Sequence, residues 1–223
     1  MEHMMVIPDG DRRYAEKAGI SKIEAYRKAA KVVRNLVEWI LVENNVTTFT
    51  FFGLSYNNVK KRKEEDIEPI IRVQIDALNS FAGDNLFHDN KIRVLIHGLT
   101  DLLPSDYQKA VRNVEKATEK YTQKRLNLLL GYSGQLDMEQ SLAKLIRDGK
   151  KLTLENVISS CQVNQPIDFL VRTAGENRIS DGPFFLTQYT EFYSIPAYFP
   201  ALTKKDIFDA IAVYNNRKRT FGL

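Results

Sequence analysis

The stretch MMVIPDGDRR, from Met4 to Arg13, joins four apolar residues to an acidic turn and two arginines. A short apolar run of this kind is typical of a strand that is buried on both faces. The Pro-Asp-Gly that follows the run is typical of a turn. The sequence therefore places unlike charges at the carboxyl end of its first predicted strand.

Helical patterns and short apolar runs alternate along the rest of the chain. Between Lys22 and Val42 the apolar residues recur at helical spacing and the other face is basic, which predicts an amphipathic helix. Further helical patterns cover Ile67 to Phe81, Tyr107 to Tyr121, Leu136 to Ile146, Leu154 to Cys161 and a last segment from Lys204. Runs of β-branched or aromatic residues predict strands at Met4 to Ile7, Thr47 to Phe52, Ile92 to Ile96, Leu126 to Leu130, Ile167 to Val171 and Phe192 to Ile195.

This alternation predicts the fold class, which is α/β with a six-stranded, mostly parallel sheet flanked by helices. A chain of 223 residues with 43% hydrophobic side chains can bury one sizeable core, so we expect a single domain over residues 1–223. In such sheets ligands bind beyond the carboxyl ends of the strands. Polar residues that follow the predicted strands are therefore the candidate functional residues.

Composition narrows the class of protein. Lys and Arg number 32 against 28 Asp and Glu, and the formal charge of +4 without long basic runs favours a local anion site over nucleic-acid binding. The single Cys161 cannot form an intramolecular disulfide and is typical of a reducing compartment. No apolar run approaches the roughly 18 residues of a membrane span, and no signal-peptide pattern opens the chain. The sequence predicts a soluble, cytoplasmic protein.

Three polar segments follow predicted strands and together predict a metal and diphosphate site. They are PDGDRR at 8–13, GLSYNN at 53–58 and RTAGENRIS at 172–180. Arg13, Arg172 and Arg178 would offer fork-shaped donors to phosphate oxygens, with Ser180 and backbone N–H groups beside them. Asp9 and Glu191 would offer the hard oxygen ligands that Mg²⁺ prefers. Each signal alone is more typical of a turn or a solvated surface, and the hypothesis depends on their combination.

The longest of these motifs carries a resemblance to a known family. The residues that match are DFLVRTAGENRIS at 168–180, His3 with Asp9-Gly10 and Arg13, Leu126-Asn127 with Tyr132-Ser-Gly134, Glu191-Phe-Tyr, and the closing Arg219-Thr-Phe221-Gly222. In these motifs the chain resembles the cis-prenyltransferases, the undecaprenyl diphosphate synthase-like enzymes. The resemblance runs nearly end to end, and it implies the cis-prenyltransferase fold with an apolar tunnel.

The resemblance also implies an activity and a metal. A cis-prenyltransferase condenses isopentenyl diphosphate with a short allylic prenyl diphosphate and releases diphosphate, with Mg²⁺ bound. By the resemblance, Asp9 would hold Mg²⁺ and assist the departure of diphosphate, and Glu191 would lie near the metal, in the family sometimes from a neighbouring subunit. Asn58 would act in proton removal and substrate placement.

The remaining site residues follow from the same resemblance. Residues that would bind the allylic substrate are Gly10, Asp11, Arg12, Arg13, Lys22 and Tyr26. Arg172, Arg178 and Ser180 would hold isopentenyl diphosphate, while Ser55 opens the motif that contains Asn58. Candidates for the tunnel wall are the apolar residues of the Lys22–Val42 helix with Phe49, Phe51, Phe52 and Leu54. Gly53 would leave the tunnel open, and Leu128 to Leu130 are candidates for its floor.

Several positions depart from the family pattern. Asp11-Arg12 stands where the family has Asn-Gly, and this pair either balances its own charge or alters the choice of substrate. Tyr26 replaces a histidine and Lys22 an arginine. The Trp-x-Arg-Pro expected after Asn58 reads Val59-Lys60-Lys61-Arg62, and Thr220 replaces an arginine near the carboxyl terminus.

These departures leave three hypotheses open. The first is a prenyltransferase that uses isopentenyl diphosphate as acceptor. The second keeps the ionisation of the allylic diphosphate but lets an alcohol, water or another prenyl unit capture the cation. The third is a non-catalytic subunit of a heteromeric enzyme. The resemblance also implies a homodimer and leaves room for transient membrane contact during product release.

Overall fold

A six-stranded parallel sheet forms the centre of the fold. The computed structural model describes residues 1–218, and its strands are β1 (His3–Ile7), β2 (Thr48–Ser55), β3 (Ile92–His97), β4 (Lys124–Tyr132), β5 (Phe169–Arg172) and β6 (Glu191–Ser194). They lie in the order β3-β4-β2-β1-β5-β6. Each neighbouring pair is parallel, so the predicted α/β class with its parallel sheet is confirmed.

Helices flank the sheet and connect its strands. They are α1 (Asp11–Ala18), α2 (Lys22–Val37), α3 (Tyr56–Lys61), α4 (Glu64–Gly83), α5 (Asn85–Asp89), α6 (Ser105–Thr118), α7 (Gly134–Arg147), α8 (Leu154–Ser160) and α9 (Lys204–Asn216). Three of them, α1, α3 and α5, were not predicted because segments of five to eight residues are too short to show a helical period. The predicted helix to Val42 ends its α-helical part at Val37 and continues as π-helix over Glu38–Glu43.

Local sequence signals explain where α2 and α9 begin. Ser21 and Glu24 form a capping box at the start of α2, in which each side chain accepts a hydrogen bond from the other residue's backbone N–H. Thr203 and Asp206 form the same arrangement at the start of α9. These caps satisfy backbone donors that the helix itself leaves unpaired.

Both faces of the sheet are covered, and β4 shows how the faces divide. Leu128 and Leu130 belong to the larger core, which includes residues of α2, α4, α6 and α9. Leu129, between them, belongs to a smaller core with Met138 and Cys161. Neighbouring residues on a strand point to opposite faces, so one face supports a four-helix layer and the other packs against α7 and α8. Cys161 is buried and free.

The carboxyl ends of three strands meet at one edge of the sheet. Asp9 follows β1, Ser55 ends β2 and Arg172 ends β5, and these strands are neighbours in the order β2-β1-β5.

None of the helices within residues 1–218 combines the length and apolarity that crossing a bilayer requires. The predicted motif at Arg219 to Gly222, with Thr220, lies outside the described residues.

Candidate active site

A cavity of about 700 Å³ opens at this edge of the sheet. Its mouth is polar and its interior apolar. The mouth is lined by Asp9, Gly10, Asp11, Arg12, Arg13, Glu16, Ser55, Asn58, Arg62, Arg172 and Ser180. The interior is lined mainly by Ala29, Ala30, Val33, Phe51, Leu54, Ile70, Val73, Ala77, Leu78, Phe81, Leu128, Leu130 and Phe199. The structure therefore brings most of the predicted site residues together around one opening.

Asp9 stands at the centre of the mouth, and its backbone is fixed by Thr173. The Asp9 N–H donates to Thr173 Oγ1 at 2.7 Å, and the same hydroxyl donates to the Asp9 carbonyl at 2.9 Å. Thr173 is fully buried at the end of β5. This pair of hydrogen bonds ties the turn after β1 to the neighbouring strand.

Three arginines surround the Asp9 carboxylate. Arg172 donates to Oδ2 at 2.8 Å, Arg13 donates to Oδ1 at 3.1 Å, and Arg178 lies 3.6 Å from Oδ2. Partial burial by itself would raise the pKa of Asp9, but the hydrogen bonds and charges of Arg172 and Arg13 hold the pKa below its ordinary value. Asp9 is therefore ionised at neutral pH, with Arg172 almost buried beside it.

The loop after β5 positions the other contacts of Arg172. Its guanidinium donates to Ser180 Oγ at 2.9 Å and to the Arg178 carbonyl. Ala174 and Ser180 adopt left-handed backbone conformations, with φ of 65° and 51°, which non-glycine residues rarely adopt and which often mark functional sites. Within residues 1–218, the buried Nε of Arg172 has no hydrogen-bond partner, so this arginine keeps a donor for a further group.

Gly10 allows the chain to turn from Asp9 into α1. Its φ of 99° is in the left-handed region, where glycine carries no steric penalty. A Cβ at this position would lie 2.6 Å from Cδ1 of Tyr198. Arg13 packs over the same Tyr198 ring at 5.5 Å from its centroid. The glycine thus lets α1 present its first-turn N–H groups and Arg13 at the mouth.

Asp11 and Arg12 do not balance each other. Asp11 lines the cavity and is partly buried, whereas Arg12 is exposed. Within the described part of the chain, Asp11 Oδ1 is buried without a hydrogen-bond partner. Burial first, and then the neighbouring charge of Asp9, raise the pKa of Asp11 to about 6. Of the two alternatives drawn from the sequence, the self-balancing pair is not formed, and Asp11 adds a carboxylate to the cavity.

Ser55, Asn58 and Tyr26 also reach the cavity. Ser55 caps α3 by accepting a hydrogen bond from the Asn58 backbone N–H at 3.2 Å, so this serine has a structural role at the mouth. Tyr26 is 9% exposed. Burial raises the pKa of the Tyr26 phenol, so it stays neutral.

Lys22 is not brought to the cavity. Its Nζ lies 2.7 Å from Oδ1 of Asp66, and the lysine side chain is 54% exposed. The ion pair joins the start of α2 to the acidic first turn of α4, beside the mouth. Lys22 is not among the residues that line the cavity, and its role as a substrate contact stays a prediction. Its pairing with the acidic first turn of α4 could not be placed from the sequence.

Glu191 is the second predicted residue that the structure separates from Asp9. It is the first residue of β6 and pairs with Phe169 of β5, whereas Arg172 pairs with Ser194. Three residues of strand separate these positions, which is roughly 10 Å. The Glu191 carboxylate accepts a hydrogen bond from Arg217 instead. Within one chain, Asp9 and Glu191 therefore do not form a shared metal site.

The sequence reasoning missed three residues at the mouth. Thr173 fixes the backbone of Asp9. Its position directly after Arg172, at the end of a strand, could have identified it as a site residue. Glu176 lies 3.3 Å from Arg13 and also pairs with Arg178. Arg62 lines the cavity at the end of α3, where the sequence showed only a departure from the family. Together they add one carboxylate and one cation to the predicted set.

The interior wall agrees with most of the prediction. Phe51, Phe52 and Leu54 line the cavity, whereas Phe49 packs in the core without lining it. A Cβ at Gly53 would lie 2.9 Å from Cδ2 of Leu130, so the glycine makes room for a side chain on the neighbouring strand.

One polar group interrupts the apolar wall. Gln74 donates to the Gly53 carbonyl at 3.1 Å and accepts from the Tyr107 hydroxyl at 2.8 Å. Both ends of its amide are thus satisfied, which is what a polar group in an apolar wall requires.

The donor set at the mouth fits a hard divalent cation. Within residues 1–218, no group of three or more His, Cys, Asp or Glu side chains is arranged to hold a metal by itself. Asp9 remains 24% exposed, and Asp11 contributes an unpaired carboxylate oxygen to the same cavity. Mg²⁺ commonly binds through one or two carboxylates together with substrate phosphates, and these residues fit that mode.

Known proteins resemble this chain over its full length. A synthase from Pyrobaculum aerophilum, named tritrans,polycis-undecaprenyl-diphosphate synthase (geranylgeranyl-diphosphate specific), is 34% identical over 99% of this chain and 95% of its own length. A synthase of the same specificity from Sulfolobus acidocaldarius is 32% identical over 99% of this chain and 87% of its own length. The crystal structure of lavandulyl diphosphate synthase from Lavandula x intermedia with dimethylallyl diphosphate shares the fold, with a TM-score of 0.89, 22% identity and coverage of 100% and 98%.

A family model agrees with these relatives. The prenyltransferase model for undecaprenyl diphosphate synthases matches residues 7–222, nearly the whole chain. The resemblance drawn from the sequence motifs is therefore confirmed, and the chain belongs to the undecaprenyl diphosphate synthase family of prenyltransferases.

Proposed function

We propose that the protein is a cis-prenyltransferase that condenses isopentenyl diphosphate with an allylic prenyl diphosphate and releases diphosphate. The observation that carries the proposal is the cavity, which joins a cationic mouth around Asp9 to an apolar interior. A diphosphate ester with a hydrocarbon chain has the same two-part character. Both named relatives are polycis-undecaprenyl diphosphate synthases specific for geranylgeranyl diphosphate, which makes that compound the first allylic substrate to test.

The arginines at the mouth would exchange protein carboxylates for phosphate oxygens. Arg13 and Arg178 pair with Asp9 and Glu176 in this structure, and both arginine side chains are about half exposed. A guanidinium that turns from a carboxylate to a phosphate keeps a charge-assisted hydrogen bond. Arg172 would hold isopentenyl diphosphate with Ser180, while Gly10 and the first turn of α1 would face the allylic diphosphate.

Asp9 would hold Mg²⁺ at the mouth, with Asp11 as a second oxygen donor in the same cavity. The bound cation would supply positive charge to the departing diphosphate. The chain's own contribution is to keep Asp9 ionised, through Arg172 and Arg13, and to orient it through Thr173. The arginines would stabilise the negative charge that develops on the leaving group.

The interior would shield the allylic cation and hold the growing chain. Small and apolar residues of α2 and α4 face the sheet across the cavity, and water has few polar partners there. Asn58 at the mouth would place the acceptor, and Tyr26 would face the allylic substrate as a neutral phenol. Lys22 is given no step in this scheme because it does not line the cavity.

We further propose a homodimer in the cytoplasm with transient membrane contact when product leaves. Phe184, Tyr189 and Phe192 are 40%, 71% and 45% exposed on the segments beside and within β6. Exposed apolar groups in one region are typical of a partner interface. A dimer would also allow Glu191 to act near a partner's metal. A monomeric mass in solution with full activity would contradict this proposal.

Product analysis tests the function directly. Purified protein with Mg²⁺ is incubated with dimethylallyl, farnesyl or geranylgeranyl diphosphate, with and without isopentenyl diphosphate, and products are identified by mass. We expect prenyl diphosphates that grow by five-carbon units only when isopentenyl diphosphate is present. Prenyl alcohols, ethers or joined prenyl units formed without it would support the non-standard acceptor instead. Unchanged substrates in every mixture would contradict an active enzyme and favour a non-catalytic subunit.

A further inference from the structure

A second cavity lies on the opposite face of the sheet from the main cavity. Its volume is about 230 Å³, and its lining includes Arg125 and Asn127 of β4. The main cavity is lined by Leu128 and Leu130 of the same strand. Residues at odd and even positions of a strand point to opposite faces, so the two cavities are separated by the sheet.

Two arginines stand side by side in this second cavity. Arg93 of β3 and Arg125 of β4 are register partners on neighbouring strands and both line the cavity. Partner positions of a sheet face the same side and lie about 5 Å apart. Within residues 1–218, neither side chain makes an ion pair or a hydrogen bond; Arg93 is partly buried and Arg125 is exposed. Like charges in this position destabilise a sheet unless an anion lies between them.

The rest of the lining offers donors without a competing carboxylate. The other lining residues in the described chain are Leu95, His97, Asn127, Gln162, Val163, Asn164 and Gln165. Gln162 accepts a hydrogen bond from the Gly98 N–H at 2.7 Å through Oε1, which fixes the orientation of its amide. Its NH₂ group has no partner among the described residues. Gln165 likewise uses Oε1, towards Thr48 at 2.8 Å.

Buried hydrogen bonds hold the back of this cavity in place. Asn127 is 3% exposed and donates to Thr50 at 3.1 Å. Its Oδ1 lies 3.1 Å from Nε2 of His97 and accepts a hydrogen bond from that ring. The floor below the arginine pair is thus fixed by side chains from β2, β3 and β4, as a preformed site requires.

We propose that Arg93 and Arg125 form a second anion site, which binds a small phosphate-bearing anion such as inorganic diphosphate or phosphate. Guanidinium pairs match phosphate oxygens, and amide NH₂ groups add neutral donors. The cavity is smaller than the roughly 300 Å³ at which drug-sized pockets begin. Only Leu95 and Val163 are apolar in its lining, so a prenyl chain has no place there. The site therefore recognises the free anion and not the prenyl substrate.

Calorimetric titration in metal-free buffer tests the site apart from catalysis. An Arg178→Ala variant, which weakens the exposed part of the main mouth, is titrated with inorganic diphosphate and with phosphate. Adding Arg93→Gln and Arg125→Gln should weaken binding at the second site by about tenfold or more, because two charge-assisted contacts are lost. The matched control adds Arg112→Gln and Arg147→Gln, two exposed arginines outside both cavities, and should leave the affinity unchanged. Equal losses in both variants, or no loss in either, would overturn the proposal.

Thermal unfolding gives a second measurement that does not depend on a detectable heat of binding. In phosphate-free buffer Arg93→Gln should unfold at a higher temperature than the wild type, because it removes a like-charge pair. Potassium phosphate, compared with potassium chloride of equal ionic strength, should stabilise the wild type more than the variant. A lower melting temperature of Arg93→Gln without phosphate, or equal stabilisation by phosphate, would contradict an anion between the two arginines.

Discussion

The mouth and the interior of the main cavity are built in opposite ways. At the mouth, Asp9 and Glu176 pair with Arg13, Arg172 and Arg178, so charges are arranged before any substrate binds. In the interior, alanines and larger apolar side chains leave an open volume. Gln74 is a polar residue in this apolar wall, and its amide is hydrogen-bonded. The mouth is thus organised by ion pairs, whereas the interior is open because its side chains leave space unfilled. Changes at the mouth should therefore alter rate and affinity, while changes in the interior should alter product size.

The largest effect is expected for Asp9→Asn. The substitution removes the charge that would hold Mg²⁺ and leaves Arg172 without its charged partner, so we expect kcat to fall by about 10²–10³-fold or more. Steady-state rates with geranylgeranyl and isopentenyl diphosphates measure the effect. Asp66→Asn is the matched control because Asp66 pairs with Lys22 outside the cavity. Comparable rates for Asp9→Asn and the wild type would contradict the role of Asp9.

A smaller effect is expected for Arg178→Gln at the same mouth. The variant loses one charge-assisted contact to isopentenyl diphosphate, which corresponds to a rise of about 10–100-fold in the KM for that substrate. The KM for the allylic substrate should change much less. Arg112→Gln on α6 serves as the control of equal charge change. A KM for isopentenyl diphosphate equal to that of the wild type would indicate a different acceptor or a different site for it.

The interior is tested by Ala77→Leu on α4. Ala77 lines the cavity, and the added methyl groups fill space that the growing chain would occupy. We expect products shorter by one or more five-carbon units, with little change in the rate of the first condensation. Mass analysis of the products measures the length. Ala143→Leu, exposed on α7, is the control, and an unchanged product distribution in Ala77→Leu would show that the chain does not pass this wall.

The smallest effect is expected for Asp11→Asn, and it concerns stability. Burial raises the pKa of Asp11 to about 6 in the folded chain, from a model-peptide value of 3.8. The folded state therefore binds more protons than the unfolded state between these values, so this carboxylate lowers stability as pH rises from about 4 to 6. Asp11→Asn should therefore stabilise the folded chain by about 1–2 kcal/mol at pH 8 in metal-free buffer, after an allowance for the partial exposure of the side chain. This gain corresponds to a rise of about 3–6 °C in the melting temperature.

The pH dependence separates this effect from an ordinary change of packing. Near pH 4 the gain from Asp11→Asn should largely disappear, because the wild-type carboxyl is then protonated in the folded chain. Melting curves at both pH values make the comparison. A gain of equal size at pH 4 and pH 8 would refute the electrostatic origin.

The strands and long helices were predictable because their apolar period is long enough to read. β1 carries four consecutive apolar residues, and α2 shows its apolar stripe over four turns. The short helices α1 and α3 were missed because capping and turn geometry, not periodicity, forms them. The site residues also divide into those that a sequence pattern predicts and those that it does not. Residues that follow strands, such as Asp9 and Arg172, were predicted from the position of strand ends in a parallel sheet.

Other parts of the site depend on tertiary contacts that no local pattern encodes. The pairing of Lys22 with Asp66 was not predicted because the two residues lie on different helices. Glu191 was expected beside Asp9, yet its place at the start of β6 sets it roughly three residues of strand away from the mouth. The partial burial of Asp11 and the exposure of Arg12 at the mouth follow from the start of α1 directly after Gly10. These directions are properties of the assembled fold.

The register between β1 and β5 has a consequence for how the enzyme can vary. Ile7 and Arg172 are partners across this ladder, and Thr173 bonds to Asp9 one step beyond it. The spacing between Asp9 and Arg172, which we propose to serve the allylic diphosphate and isopentenyl diphosphate, is therefore set by two neighbouring strands about 4.8 Å apart. Asp11 at the start of α1 and Arg62 at the end of α3 lie outside this ladder, so they can change while the spacing stays the same. In the proposed mechanism, substrate preference can therefore change at these two positions while the spacing of the two diphosphate sites is kept.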